Sequence, residues 1–96
     1  GDNRINYLDE MFAVNKGNNN YLFVLDNDET VDSNSKKSIV KMLDLSANLD
    51  LLGTWNSENF GALTSLPIND LEIKGDLVFV AIGNYGIGYG MLGKDG

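Results

Sequence analysis

Oxygen-bearing side chains occupy every second position of one short acidic segment, the part of the chain best suited to chemistry. They are Asp26, Asp28, Thr30 and Asp32. They fall at positions 1, 3, 5 and 7 of an EF-hand-like spacing, whose oxygens would surround Ca²⁺ or Mg²⁺. Val31 stands where that loop normally has glycine, and Lys37 stands where it has a bidentate glutamate. The spacing therefore predicts a divalent-metal (Ca²⁺ or Mg²⁺) or phosphate site only as an alternative function, with Asp26, Asp28 and Asp32 as the metal ligands.

The same segment also suits the start of a helix. Ser33, Asn34 and Ser35 carry side-chain oxygens that can accept hydrogen bonds from the first free N–H groups of a helix. Negative charge before such a start complements the helix dipole. We therefore expect the acidic segment to cap the helix that follows it, a role that requires no ligand.

Residues 23–31, with the sequence FVLDNDETV, resemble the first motif of the haloacid-dehalogenase-like phosphatases. The resemblance implies that Asp26 is the nucleophile, Asp28 the general acid/base and Thr30 the stabilising hydroxyl. Residues 53–56, GTWN, are loosely similar to that family's second, phosphate-binding motif. The family also has an acidic pair after a later strand, where this chain has glycine and asparagine. The resemblance therefore implies at most a degenerate phosphatase, since an activity needs a complete site.

Composition limits the kinds of function. The 96 residues include no histidine and no cysteine, so the commonest general base and all thiolate chemistry are missing. Fourteen acidic residues against seven basic ones give a net charge of −7. Such a surface repels nucleic-acid phosphates and attracts basic proteins. We therefore expect a non-enzymatic acidic interaction protein, such as an immunity protein or inhibitor, that binds a basic protein partner without a cofactor. The acidic surface predicted to bind that partner comprises Asp26, Asp28, Glu29, Asp32, Asp44 and Asp50.

Apolar spacing assigns the elements that would position these residues. Residues 3–15 and a second segment from Ser35 to about Leu52 carry apolar side chains at helical intervals. Short apolar or alternating runs predict strands at 21–25, 71–74 and 77–82. The fold class predicted is α+β. We expect one small domain, residues 1–96, with two helices packed on a mainly antiparallel sheet of about four strands that ends in a C-terminal β-hairpin.

The last strand of that hairpin has one heavy face and one bare face. After the Gly83-Asn84 turn, three glycines alternate with the large residues Tyr85, Ile87, Tyr89 and Met91. Strand side chains alternate between faces, so the glycines share one face and are expected to pack closely inside. Large residues in alternation more often belong to a core. If the strand instead lies at a sheet edge, these four residues would support strand-edge association, including a homodimer through the C-terminal strand.

The element order and residues 79–89, FVAIGNYGIGY, are loosely similar to the SMI1/KNR4-like immunity proteins. In those proteins an apolar strand runs into a glycine-rich turn and a further strand, and the resemblance implies a binder that neutralises a toxin. No apolar run is long enough to cross a bilayer, so we expect no membrane partner and a cytoplasmic location. Secretion stays an alternative, because the chain begins at Gly1 rather than Met.

Overall fold

A computed structural model describes residues 8–28 and 37–92, with Asp28 and Lys37 described for the backbone alone. These residues form seven β-strands and one short 3-10 helix, Ser57–Phe60. The strands in chain order are β1 (Leu8–Lys16), β2 (Asn19–Asp28), β3 (Lys37–Asp44), β4 (Asp50–Trp55), β5 (Ile68–Lys74), β6 (Leu77–Ile82) and β7 (Gly86–Met91). No helix in this part of the chain has the length and hydrophobicity needed to span a membrane.

The strands form two antiparallel sheets. The first sheet has the order β1-β2-β3-β4 and the second the order β5-β6-β7, so within each sheet the strands that are consecutive in sequence pair with one another. Glycines permit two of the tight turns, because Gly17 has a φ of 64° and Gly75 a φ of 60°. Residues with a Cβ rarely adopt that conformation. Turns this short fix the register of the strands that they join.

The predicted α+β fold is wrong, because the described residues form two sheets and contain no α-helix. Residues 8–16, assigned to the first helix, are β1. Phe12 and Val14 pack against the core, whereas Leu8 and Met11 are 51% and 59% exposed. The spacing of Leu8, Met11 and Phe12 fits a helix, but Phe12 and Val14 equally fit the two-residue period of a strand. Pairing with β2 along nearly the whole segment stabilises the strand.

The second predicted helix is also wrong. Residues 37–44 form β3 and residues 50–55 form β4. β3 has four apolar residues that are buried or half-buried, Ile39, Val40, Met42 and Leu43, as expected of a central strand covered on both faces. So short an apolar segment fits such a strand as well as a helix, which explains the error. The first residues of the two predicted helices, 3–7 and 35–36, lie outside the described residues, as do the cap candidates Ser33 and Asn34.

One hydrophobic core lies between the two sheets. The first sheet, the second sheet and the connection between them all contribute buried apolar side chains. They include Phe23, Leu25, Val40 and Met42 from the first sheet, Ile68, Leu71, Val78, Val80 and Ile82 from the second, and Phe60 and Ala62 from the connection. Burial of these side chains is the main term that holds the sheets together.

Buried hydrogen bonds fix the start of β5 on the first sheet. Ser38 Oγ accepts a hydrogen bond from the Ile68 N–H at 2.8 Å and donates one to Asn27 Oδ1. Asn27 Nδ2 donates to the Ile68 carbonyl oxygen at 3.2 Å. Asn27 and Ser38 are only 2% and 1% exposed. A β-bulge follows Ile68, so these two side chains satisfy its backbone groups where the strand pairing is irregular.

The bare face of β7 points into the molecule. Gly88 and Gly90 pair with Val80 and Val78, whose side chains are buried. A Cβ at residue 88 would lie 2.7 Å from the Phe60 carbonyl oxygen and 2.8 Å from Phe60 Cβ. Only glycine therefore lets the 3-10 helix approach β7 this closely. The close internal packing expected of the glycines is present, and Phe60 is the residue that packs there.

Candidate interaction surface

Three rows of side chains cross the solvent-facing side of the second sheet. Each row runs from β5 through β6 to β7, because directly paired residues of antiparallel strands project to the same face. The rows are Asp70–Ala81–Ile87, Glu72–Phe79–Tyr89 and Lys74–Leu77–Met91. We call these nine residues the outer face. It is apolar over β6 and β7 and charged along β5.

The large side chains of β7 lie on this outer face and not in the core. Ile87, Tyr89 and Met91 are 73%, 65% and 70% exposed. The expectation that such residues belong to the core is wrong here, because Phe60 occupies the side on which the glycines lie. A shallow groove of about 330 Å³ on the same face is bordered by Asp70, Glu72, Phe79, Ala81 and Ile87. A contiguous exposed apolar area with a charged rim is typical of protein-binding surfaces.

Three carboxylates, which we call the acidic cluster, meet beside the outer face. Glu10 reaches from β1 to Asp70 and Glu72, and one oxygen from each lies within 4.8 Å of the others. Glu10 Oε2 accepts a hydrogen bond from the Leu71 N–H at 2.8 Å, which holds it between the sheets. Burial raises the pKa of the Glu10 carboxyl most. A hydrogen bond to Asp70 and the charges of Asp70 and Glu72 raise that pKa further, while the Leu71 bond lowers it.

The acidic cluster has the oxygen ligands that Ca²⁺ and Mg²⁺ prefer. Two of its members, Asp70 and Glu72, are nevertheless exposed and also border the apolar groove. Burial is the main cause of the raised pKa of Glu10, and the negative charges of Asp70 and Glu72 add to it. Carboxylates beside an apolar groove suit recognition of a positively charged partner. We therefore assign the cluster to the rim of the outer face.

Positive side chains of the described residues lie mostly away from this rim. Lys16 Nζ donates to the Leu92 carbonyl oxygen at 2.6 Å and lies 3.3 Å from Asp76 Oδ1. Lys41 Nζ lies 3.2 Å from Asp26 Oδ2 in the first sheet. Lys74 is the one cation of the outer face and stands in the row without a carboxylate. The rows that contain Asp70 and Glu72 therefore keep their negative charge.

Asp26, which the acidic-surface, metal-site and phosphatase hypotheses share, lies in a strand. β2 continues through Asp28, which pairs with Lys37 of β3. Asp26 is 3% exposed and forms its ion pair with Lys41. A buried, paired carboxylate is not accessible to a partner, an ion or a substrate. The phosphatase resemblance also implies a parallel, doubly wound sheet, which the two antiparallel sheets do not provide. We therefore carry neither the metal site nor the phosphatase forward.

Of the other predicted acidic residues, the described part of the chain brings only Asp44 and Asp50 together. Asp50 is exposed and Asp44 is half-buried, and the two are paired residues of β4 and β3. Asp44 Oδ1 accepts a hydrogen bond from a neighbouring turn N–H, that of Ser46, at 2.8 Å. Glu29 and Asp32, like Thr30, lie outside the described residues, and for Asp28 only the backbone is described.

The four residues predicted for strand-edge association fall on or beside one strand. β7 is an outermost strand of the second sheet. Ile87, Tyr89 and Met91 belong to the outer face, whereas Tyr85 lies in the turn before β7 and is 47% exposed. Association through this strand stays a prediction.

Sequence reasoning missed the acidic cluster. The alternation of Leu71 and Ile73 with Glu72 and Lys74 does place Glu72 on an exposed face. No local sequence signal predicts that Glu10 lies beside Asp70 and Glu72, because its position depends on the packing of β1 against β5.

Comparison of the chain with protein-family models, with curated proteins and with solved structures found no match. Neither of the two family resemblances seen in the sequence therefore gains support from them.

Proposed function

We propose that this chain is a non-enzymatic interaction domain that binds a basic partner protein through the outer face, with the acidic cluster at its rim. The exposure of Ile87, Tyr89 and Met91 on an otherwise packed sheet carries the proposal. The strand cannot turn these side chains inward, because a one-residue shift would place Ile87 or Tyr89 at the position of Gly88, where Phe60 leaves no room for even a Cβ. Three large apolar residues held in water by the fold are best explained by a partner that covers them.

The charge pattern defines the partner's chemistry. Phe79 and Tyr89 offer an apolar centre for an aromatic or aliphatic anchor, and Asp70 and Glu72 lie on one side of it. Neighbouring strands are about 4.8 Å apart, so β5 and β7 are about 10 Å apart. One Lys or Arg beside an apolar anchor on the partner spans that distance. The net charge of −7 would also steer a basic protein toward this chain.

An immunity protein or inhibitor of a basic, nucleic-acid-handling protein fits this chemistry. Such a role requires no catalytic group of its own, and it is compatible with a chain that lacks histidine and cysteine. We include a cytoplasmic location in the proposal, and cell fractionation tests it.

Self-association is the second candidate, and the edge position of β7 favours it. An edge strand offers unpaired backbone groups to a second copy. Two copies would, however, bring two acidic clusters to one assembly, which a basic partner would not. Sedimentation velocity of the wild type and Tyr89→Lys decides this point. A dimer that Tyr89→Lys dissociates supports self-association, whereas a monomeric wild type excludes it.

Isothermal titration calorimetry tests binding of a basic partner. Basic proteins encoded beside this protein's gene are the candidates to be titrated. We expect binding that weakens as salt is raised. Ile87→Lys, which puts a charge into the apolar groove, should weaken binding about tenfold or more. The Asp70→Asn/Glu72→Gln double variant should make the affinity less dependent on salt.

Leu63→Lys is the matched control for the apolar substitution. Leu63 is 94% exposed and lies in the connection, outside the outer face. Its replacement makes the same change in charge and should leave affinity unaltered. Equal affinities of Ile87→Lys and the wild type, or equal losses in the two lysine variants, would contradict the proposed surface.

A further inference from the structure

A cleft opens between the two sheets, on the face of the second sheet opposite to the outer face. Its volume is about 190 Å³, and its walls are largely aromatic and aliphatic. Phe23, Val40 and Phe60 line it and are 2%, 0% and 8% exposed, so the floor is deep within the core. Met91, a residue of the outer face, also lines this cleft, but the cleft shares no wall residue with the groove of the outer face.

Two glycines give the cleft its shape. In β4, a Cβ at Gly53 would lie 2.6 Å from the indole ring of Trp55, so the ring lies over bare backbone and forms one wall. In β7, Gly90 has no side chain to fill the space on its side of the cleft. A Cβ there would meet the Phe60 ring at 3.6 Å, an ordinary contact. Glycine at 90 is therefore not required by packing, in contrast to Gly88, and its effect is to keep the cleft open.

We infer that this cleft binds a small aromatic molecule of one or two rings, at a site distinct from the groove of the outer face. An apolar cavity of about 150 Å³ suffices to bind benzene, and this one is larger. Phe23, Trp55 and Phe60 offer ring faces and edges for stacked or edge-to-face contacts. Apolar walls hold water poorly, so an aromatic ligand gains by replacing it.

The polar groups of the cleft favour a ring that carries a hydroxyl group. Asn59 is an exposed lining residue and, among the described residues that line the cleft, contributes the only side-chain amide. Its Oδ1 accepts a hydrogen bond from the Asn56 N–H at 2.8 Å, which orients its amide N–H groups as donors. A phenolic oxygen at the mouth would accept from them while the ring occupies the apolar interior. Phenols are therefore the ligand class that we assign to this cleft.

Titration of ¹⁵N-labelled protein with p-cresol tests the inference. The chain has a single tryptophan, so the indole N–H signal of Trp55 reports on the cleft without ambiguity. We expect saturable shifts of that signal and of the Gly90 amide, together with a melting temperature that rises with p-cresol concentration. The absence of a saturable shift up to the solubility limit of p-cresol would overturn the inference.

Substitutions on the two faces of β7 locate the bound ligand. Gly90→Leu fills the cleft and should weaken binding about tenfold or more, and Gly90→Val serves the same purpose with a smaller side chain. Ile87→Lys, which damages the proposed protein interface on the opposite face, should leave p-cresol binding unchanged. Unaltered binding by both Gly90 variants, or its loss in Ile87→Lys alone, would place the ligand elsewhere and refute the assignment.

Discussion

Alanine in place of each inward-facing glycine of β7 tests which face of this strand is packed. At residue 88 the new methyl group would lie 2.7 Å from the Phe60 carbonyl oxygen and 2.9 Å from Ile82 Cδ1. The carbonyl cannot retreat easily, because hydrogen bonds from the Gly61 and Ala62 N–H groups hold the end of the 3-10 helix. Overpacking costs about 1–3 kcal/mol, and the lower entropy of the unfolded chain offsets about 0.4–1 kcal/mol. We expect Gly88→Ala to lower the free energy of unfolding by about 1–2 kcal/mol.

Gly90→Ala should have the opposite effect. Its methyl group would lie 3.6 Å from the Phe60 ring, where it makes an ordinary contact. Alanine lowers the conformational entropy of the unfolded chain, and its methyl group is partly buried in the folded protein. Together these two effects should raise the free energy of unfolding by about 0.5–1 kcal/mol. The two variants should therefore differ by about 1.5–3 kcal/mol, which in a chain of 96 residues separates their melting temperatures by roughly 10–20 °C.

Urea unfolding followed by Trp55 fluorescence measures these differences. Ile87→Ala is the control for the other face of the same strand. Because Ile87 is 73% exposed, its truncation should change stability by only about 0.5 kcal/mol, compared with about 2–5 kcal/mol for a core isoleucine. Two results would refute the orientation of β7 and with it the outer face. One is that Gly88→Ala is as stable as Gly90→Ala. The other is that Ile87→Ala lowers the free energy of unfolding as much as truncation of a core isoleucine does.

Three other contacts of the structure can be tested by substitution, each with unfolding measurements. Ser38→Ala removes the acceptor of the buried Ile68 N–H and should cost about 1–3 kcal/mol; a loss below about 0.5 kcal/mol would contradict that buried hydrogen bond. Lys41→Met removes the cation 3.2 Å from buried Asp26 and should cost about 3–5 kcal/mol. A cycle with Asp26→Asn should then show strong coupling, and additive effects would speak against the pair. The pKa of Glu10 is raised above its usual 4.5 in the folded protein. At pH values between the unfolded and the folded pKa, the folded state binds more protons than the unfolded state. The free energy of unfolding therefore falls as pH rises between these two pKa values. Glu10→Gln should flatten this decline and raise the melting temperature at neutral pH, and an unchanged pH profile would contradict the acidic cluster.

The second sheet could be predicted in part because its signals are local. Gly75-Asp76 forms a two-residue turn between Lys74 and Leu77, as glycine in a tight turn predicts. The predicted strands 71–74 and 77–82 lie within β5 and β6. Residues 8–16 and 37–44 could not be assigned correctly, because their apolar spacing fits both a helix and a strand. The pairing with β2 that decides between them is a tertiary effect.

The candidate site was predicted less completely, because it depends on contacts between distant segments. The alternation of glycines with Ile87, Tyr89 and Met91 is visible in the sequence, but only Phe60 determines which face of β7 is inside. Asp26 is another example. Its ion pair with Lys41 joins residues on neighbouring strands, so its burial follows from the register and not from the acidic motif.

Chemical-shift mapping of the bound complex tests the proposed interface most directly. A basic protein that binds in the calorimetric titrations is added, unlabelled, to the ¹⁵N-labelled chain. We predict shifts concentrated in β5, β6 and β7 and in Glu10, with the Asp44 and Asp50 region unaffected. Shifts confined to the first sheet around Asp44 and Asp50 would contradict the assignment of binding to the outer face.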